Sequence, residues 1–187
     1  MKNRMVRSVL SFIVLASLTF QVIPVSNASA LEETAQDAGA YTTEVYEEPY
    51  LSKEQQFINS VFELVNKERQ KAELQPLLYL EELGIPAGVR AKEIATAFSH
   101  TRPDKRSWTT VYGQFGLDYT RAGENLAYGF RTAEKLVSAW MRSESHRKNI
   151  LNPDFEYIAM GYYKNRAGKA HISQLFYVPM NPIVDLQ

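Results

Sequence analysis

Histidine occurs three times in this 187-residue chain, and each occurrence sits among polar residues that could give an imidazole work to do. His100 lies in Phe98-Ser99-His100-Thr101-Arg102-Pro103-Asp104, where Pro103 is expected to stop a helix and leave the ring at an exposed terminus. His146 follows Ser143 by three residues, a spacing that puts hydroxyl and imidazole on one helix face. His171 opens the last strand-like run. Among the carboxylates Glu124 stands out, set between Gly123, which permits a tight backbone approach, and Asn125, which can anchor a loop through its own amide.

Neutral imidazoles bind borderline metals such as zinc, and a nearby carboxylate can orient the ring, ligate the metal or act as a base toward bound water. Two histidines and a glutamate therefore suffice for an open metal site. The same groups also make a hydrogen-bonded cluster that fixes the walls of a cleft, and on residue types alone both readings stand. The Ser143/His146 pair has no nucleophile elbow beside it, which argues against a serine hydrolase. No His-Glu-x-x-His helix occurs either.

These residues need a scaffold. Ser52 and Gln55 have capping-box spacing, and Ile58, Val61, Phe62 and Val65 recur on one face, predicting a helix from Ser52 to about Ala72. Leu77 to Leu83 form a second apolar stretch, and Ala87, Ala91, Ile94 and Phe98 mark another helical face, with Pro86 expected near its first turn. Thr132 reads as the cap of a helix burying Leu136, Val137, Trp140 and Met141, followed by a short helix over 143–150. The period then changes to two. Ile158, Met160 and Tyr162 alternate with Ala159, Gly161 and Tyr163, and a second run from His171 to Val178 completes a hairpin. A further strand near Leu126 to Phe130 is expected to join them. Tyrosines are abundant in this part of the chain; most are expected in the core, although several at a cleft rim could hold a glycan or peptide.

Four segments taken in order resemble the signatures of the CAP superfamily, which comprises cysteine-rich secretory proteins, antigen 5 and pathogenesis-related 1 proteins. They are Phe98 to Asp104, Gly123-Glu124-Asn125-Leu126, Trp140 through Ser143 with His146 to Leu151, and His171 to Phe176. The resemblance runs over about 57–179. It implies an α+β fold, an α/β/α sandwich with a small three-stranded antiparallel sheet flanked by helices, and a cleft lined by two His and two Glu. His100 and His171 match the cleft histidines and are the candidate metal ligands, with zinc as the candidate cofactor; Glu124 matches the first glutamate. The position matching the second glutamate is Ser143, as in bacterial members, with Glu144 one step further and about 100° around the helix.

The start of the chain has the pattern of an export signal. Lys2, Arg4 and Arg7 precede an apolar run that ends at Ala28-Ser29-Ala30, giving a signal peptide over 1–30. Its removal takes the formal charge from zero to three negative. Residues 31–50 carry six acidic and no basic residues and read as a solvated linker, leaving 51–187 as the folded domain. The mild positive balance of that domain argues against nucleic acid. The absence of cysteine leaves stability to the core alone. The expectation is a secreted monomer that meets the membrane only during export and acts as a binding or signalling module for an extracellular or cell-wall ligand. A metal-dependent hydrolase, for instance a protease, is the alternative, and the family resemblance adds lipid or sterol binding as a further one.

Overall fold

The structure, a computed structural model, describes residues 51–183. The expected signal peptide and acidic linker lie outside the described residues. The first helix, α1 (Lys53–Lys71), begins where the sequence places it, with the Ser52 hydroxyl accepting from the Gln55 amide at 3.1 Å. The strand β1 (Leu78–Tyr79) and helix α2 (Glu81–Thr96) come next, followed by the short helix α3 (Thr110–Gln114) and the long strand β2 (Tyr119–Tyr128). Helices α4 (Ala133–Arg142) and α5 (Glu144–Ile150) precede the hairpin of β3 (Tyr157–Lys164) and β4 (Ala170–Pro179).

Among the described residues the sheet has four strands in the order β1-β3-β4-β2, one more than the sequence suggests. Three of them form the expected antiparallel sheet; β1 adds two residues in parallel along the free edge of β3. Part of the apolar stretch after α1 is therefore an edge strand, too short to show an alternation in sequence. Strand β4 lies between β3 and β2 and is buried from Ala170 to Tyr177, because helices cover both faces. On one face Val61 and Val65 of α1, Leu136 and Trp140 of α4 and Ile150 of α5 pack against Ile158, Met160, Ile172 and Phe176. On the other, Leu83 and Ala87 of α2 with Val111 and Tyr112 of α3 pack against Ala159, Leu175 and Tyr177. This is an α/β/α sandwich, with the period-two alternation of β3 and β4 supplying both cores.

Helix α2 departs from expectation in two places. Pro86 sits in its second turn, although a proline there removes a backbone donor and costs about 3 kcal/mol in an exposed helix. Here Leu83, Ala87, Arg90, Ala91 and Ile94 are buried along the helix, and that packing outweighs the local penalty. The helix also ends at Thr96, well short of Pro103, with Ala97 already extended.

The seat of α2 on the sheet is unusually close. A β-carbon on Gly161 would lie 2.0 Å from the Ala87 carbonyl oxygen, and Ser173, paired with Gly161 across the hairpin, donates its hydroxyl to that same oxygen at 2.7 Å. The two small residues thus let the helix backbone rest on the sheet and fix it there. One turn further along α2, Arg90 comes over β2.

Candidate functional site

Arg90, fully buried, donates from Nε to Glu124 Oε1 at 2.7 Å and from Nη2 to Glu124 Oε2 at 3.3 Å. Glu124 Oε2 also faces Nδ1 of His100 at 2.6 Å. Because a carboxylate only accepts, this contact requires the proton on Nδ1 and leaves Nε2 as the outer nitrogen of the ring. The Glu124 side chain is 0% exposed whereas that of His100 is 58% exposed, so a buried acid holds an imidazole that meets solvent.

The loop carrying His100 is pinned on both sides of the ring. Arg90 Nη2 donates to the Ser99 carbonyl at 2.9 Å, and the Trp108 amide donates to the His100 carbonyl at 3.1 Å. Arg90 Nη1 also reaches Glu93 Oε2 at 2.6 Å, and Glu93 takes bonds from Arg102 Nε and Nη2 at 3.0 and 2.7 Å. Arg102 then binds Thr110 and Gln114, so the network ends in α3. Burial works against the charge on Glu93, but the bonds from Arg102 and Arg90 outweigh it and hold the carboxyl below its usual range. For Arg90 burial likewise opposes the charge, and the bonds it donates to Glu124 and Glu93 raise its pKa in spite of it.

Helix α5 carries His146. Its Nδ1 lies 2.8 Å from the hydroxyl of Ser143, the N-cap of that helix, and its ring tilts against Trp140 at 6.5 Å. Burial, with a smaller contribution from the charge of His100, holds the His146 imidazole below its usual value. Helix α5 is tied to β2 by Asn149, which donates to the Glu124 carbonyl at 3.1 Å and to Asn125 Oδ1 at 2.9 Å. Asn125 donates in turn to Gln174 Oε1 at 2.8 Å and to the His146 carbonyl at 3.2 Å.

Of the residues singled out in the sequence, the fold brings together His100 with Glu124 and Ser143 with His146. His171 lies elsewhere. It pairs with Tyr128 in a register where Glu124 pairs with Leu175, four residues or about 13 Å along the strand. Its ring is buried beside Tyr128, with Nδ1 3.1 Å from the Lys169 carbonyl. Strand register thus sets His171 apart from Glu124, the carboxylate that holds His100. Glu144 is exposed at the start of α5, consistent with its one-step offset. Among the described residues no three His, Cys, Asp or Glu side chains gather as metal ligands, and both oxygens of Glu124 are already engaged; the residues present do not fit a zinc site. Arg90, Glu93 and Arg102 were not foreseen as a network. The available signal was Arg90 itself, a charge on the otherwise apolar face of Ala87, Ala91 and Ile94.

The sandwich defines a class. Residues 62–178 match the model of the cysteine-rich secretory protein family, CAP, and the chain belongs to that family. Among its relatives is the Bacillus subtilis protein YkwD, itself uncharacterized, which is 44% identical over 107 residues, covering 56% of this chain and 42% of YkwD. The uncharacterized B. subtilis membrane protein YlbC is 34% identical over 64 residues, covering 34% of this chain and 18% of YlbC. The chain thus spans less than half the length of either relative. Two solved structures share the fold. An extracellular protein containing an SCP domain from Bacillus anthracis aligns with a TM-score of 0.60 at 24% identity, covering 68% of this chain and 44% of that one. An outer surface protein from Borrelia burgdorferi aligns with a TM-score of 0.60 at 20% identity, covering 65% of this chain and 91% of that one.

Proposed function

We propose that this chain is an exported protein whose CAP domain binds an extracellular or cell-wall ligand in the cleft between His100 and His146. The observation that carries the reading is the saturation of Glu124. With one oxygen on Arg90 and the other shared by Arg90 and His100, Glu124 positions an imidazole and has no free oxygen to ligate a metal or accept a substrate proton. What the cleft offers a ligand is a set of held hydrogen-bonding groups: Nε2 of His100, the His146 ring and the Ser143 hydroxyl. Their geometry is fixed before a ligand arrives, so little ordering entropy is lost on binding. Export is supported by the charged, apolar and small-residue order of the first 30 residues and by the extracellular protein among the structural relatives. No described helix is long and apolar enough to cross a membrane.

The test is cosedimentation of the purified chain with insoluble bacterial cell wall, wild type against a His100→Ala, His146→Ala double variant. The account expects at least about a tenfold loss of binding in the variant, the worth of one or two ligand hydrogen bonds. Equal retention of both proteins on the wall would refute the cleft as the binding surface. Turnover of a wall substrate that required added zinc would replace this reading with the hydrolase one.

A further inference from the structure

The cleft does not end at His100. Glu124 and Tyr128 lie on the same face of β2, four residues apart, so the contact made by His100 on Glu124 and the contact made by Phe98 on Tyr128 fall along one line about 13 Å long. The Phe98 and Tyr128 rings meet edge to face with centroids 4.8 Å apart, yet Phe98 is 51% and Tyr128 47% exposed. Large apolar rings are normally drawn into the core, and the energy of burying them is forgone here. The ammonium of Lys169 sits 4.8 Å from the Tyr128 ring centroid, and the buried His171 ring backs that ring at 6.1 Å. The result is a supported aromatic ledge with a cation over its Tyr128 ring and the His100 imidazole toward its other end.

We propose that this ledge binds a carboxylated oligosaccharide, with the apolar face of a sugar ring on Phe98 and Tyr128, a sugar carboxylate on Lys169, and hydroxyl or acetamido groups reaching His100. The length of the ledge suits several linked sugars better than one. An extended peptide could add to β2 as a new strand, but outward-facing carbonyls of β2 are already taken: that of Glu124 by Asn149 at 3.1 Å and that of Leu126 by the Trp140 indole at 3.4 Å. Strand addition is blocked where it would have to begin, whereas ring stacking and ion pairing need only the side chains. The cation gives the ledge its sign. A carboxylate replaces water on Lys169 without leaving a buried charge unpaired.

This proposal deepens the reading of the cleft as a ligand site, and the two can fail separately. The experiment follows backbone amide shifts of the full mature chain on titration with a peptide-free oligosaccharide of alternating N-acetylglucosamine and N-acetylmuramic acid, with a neutral chitin oligosaccharide of equal length alongside. The expected result is binding of the carboxylated saccharide about tenfold tighter than the neutral one, with shifts centred on Phe98, Tyr128 and Lys169. A Phe98→Ala variant should lose about tenfold in affinity while remaining folded by circular dichroism, and Lys169→Gln should erase the preference for the carboxylate. Equal affinity for the two saccharides, or undiminished binding by Phe98→Ala, would overturn the proposal. A wild type that cosediments with whole wall but ignores the saccharide overturns the ledge alone; one that binds neither overturns the cleft reading as well.

Discussion

Glu124 and His100, 24 residues apart, meet at 2.6 Å with one side chain wholly buried and the other mostly in solvent. The contact depends on a third residue. Arg90 holds the carboxylate from the helix side and the Ser99 carbonyl from the loop side, so one guanidinium sets both the acid and the backbone next to the imidazole. A charge pair of this kind is costly to break because the survivor stays buried. Replacing Arg90 with Met should therefore cost about 3–5 kcal/mol in urea unfolding. A loss below about 1 kcal/mol would mean that the pair is solvated and does not organise the site.

Gly161 offers a test at a distance. A β-carbon there would press on the Ala87 carbonyl at 2.0 Å and on backbone atoms of Ala87 and Gly88 close by, none of which can rotate away. Gly161→Ala should push α2 off the sheet, destabilise the domain by at least about 1–3 kcal/mol, and disturb the His100 resonances although His100 belongs to another part of the chain. Unchanged His100 resonances would show that the seat of α2 does not govern the site.

Much of this arrangement is legible in the sequence, and the rest is hidden for identifiable reasons. Ser52 and Thr132 announce their helices because capping is local chemistry, and the alternation of Ile158 and Met160 with Ala159 and Gly161 announces the hairpin. Glu124 and His100 are recognisable as site residues from their motifs. The bond from Arg90 to Glu124 is not, because it joins residues 34 apart through a helix whose position depends on Gly161 and Ser173. His171 has the right residue type, but its register with Tyr128 carries it along the sheet. His146 looks like half of a local Ser/His pair, and the structure keeps that pair while Asn149 ties its helix to β2.

Packing at that junction rests on Asn149. Its amide serves the Glu124 carbonyl and Asn125 Oδ1, both on a buried stretch of β2. Asn149→Ala leaves those acceptors without a donor and should cost about 1–3 kcal/mol, with faster hydrogen exchange in α5 as its local signature. Exchange in α5 as slow as in the wild type would contradict the strut role.

The depressed pKa of His146 has a pH consequence. A histidine that resists protonation when folded contributes stability that is fully present above its ordinary value of 6.5 and is lost as pH falls below that value toward the depressed folded one. Glu93 acts lower, its contribution present above 4.5 and lost as pH falls through its own depressed value. Urea unfolding between about pH 5.5 and 8 should thus show wild-type stability falling on acidification, and less steeply in His146→Gln. Parallel pH profiles for the two proteins would place the titration elsewhere.

The central claim is that Arg90 and Glu124 hold His100 with its Nδ1 proton turned inward and Nε2 presented to the cleft. Nitrogen-15 chemical shifts of the histidine rings at about pH 8 test it directly, because the two neutral tautomers have distinct ring-nitrogen shifts. The account predicts the Nδ1–H tautomer for His100 in the wild type and tautomer averaging in Arg90→Met. A wild-type His100 protonated at Nε2 would contradict it, since Nδ1 would then have no proton to give the buried carboxylate.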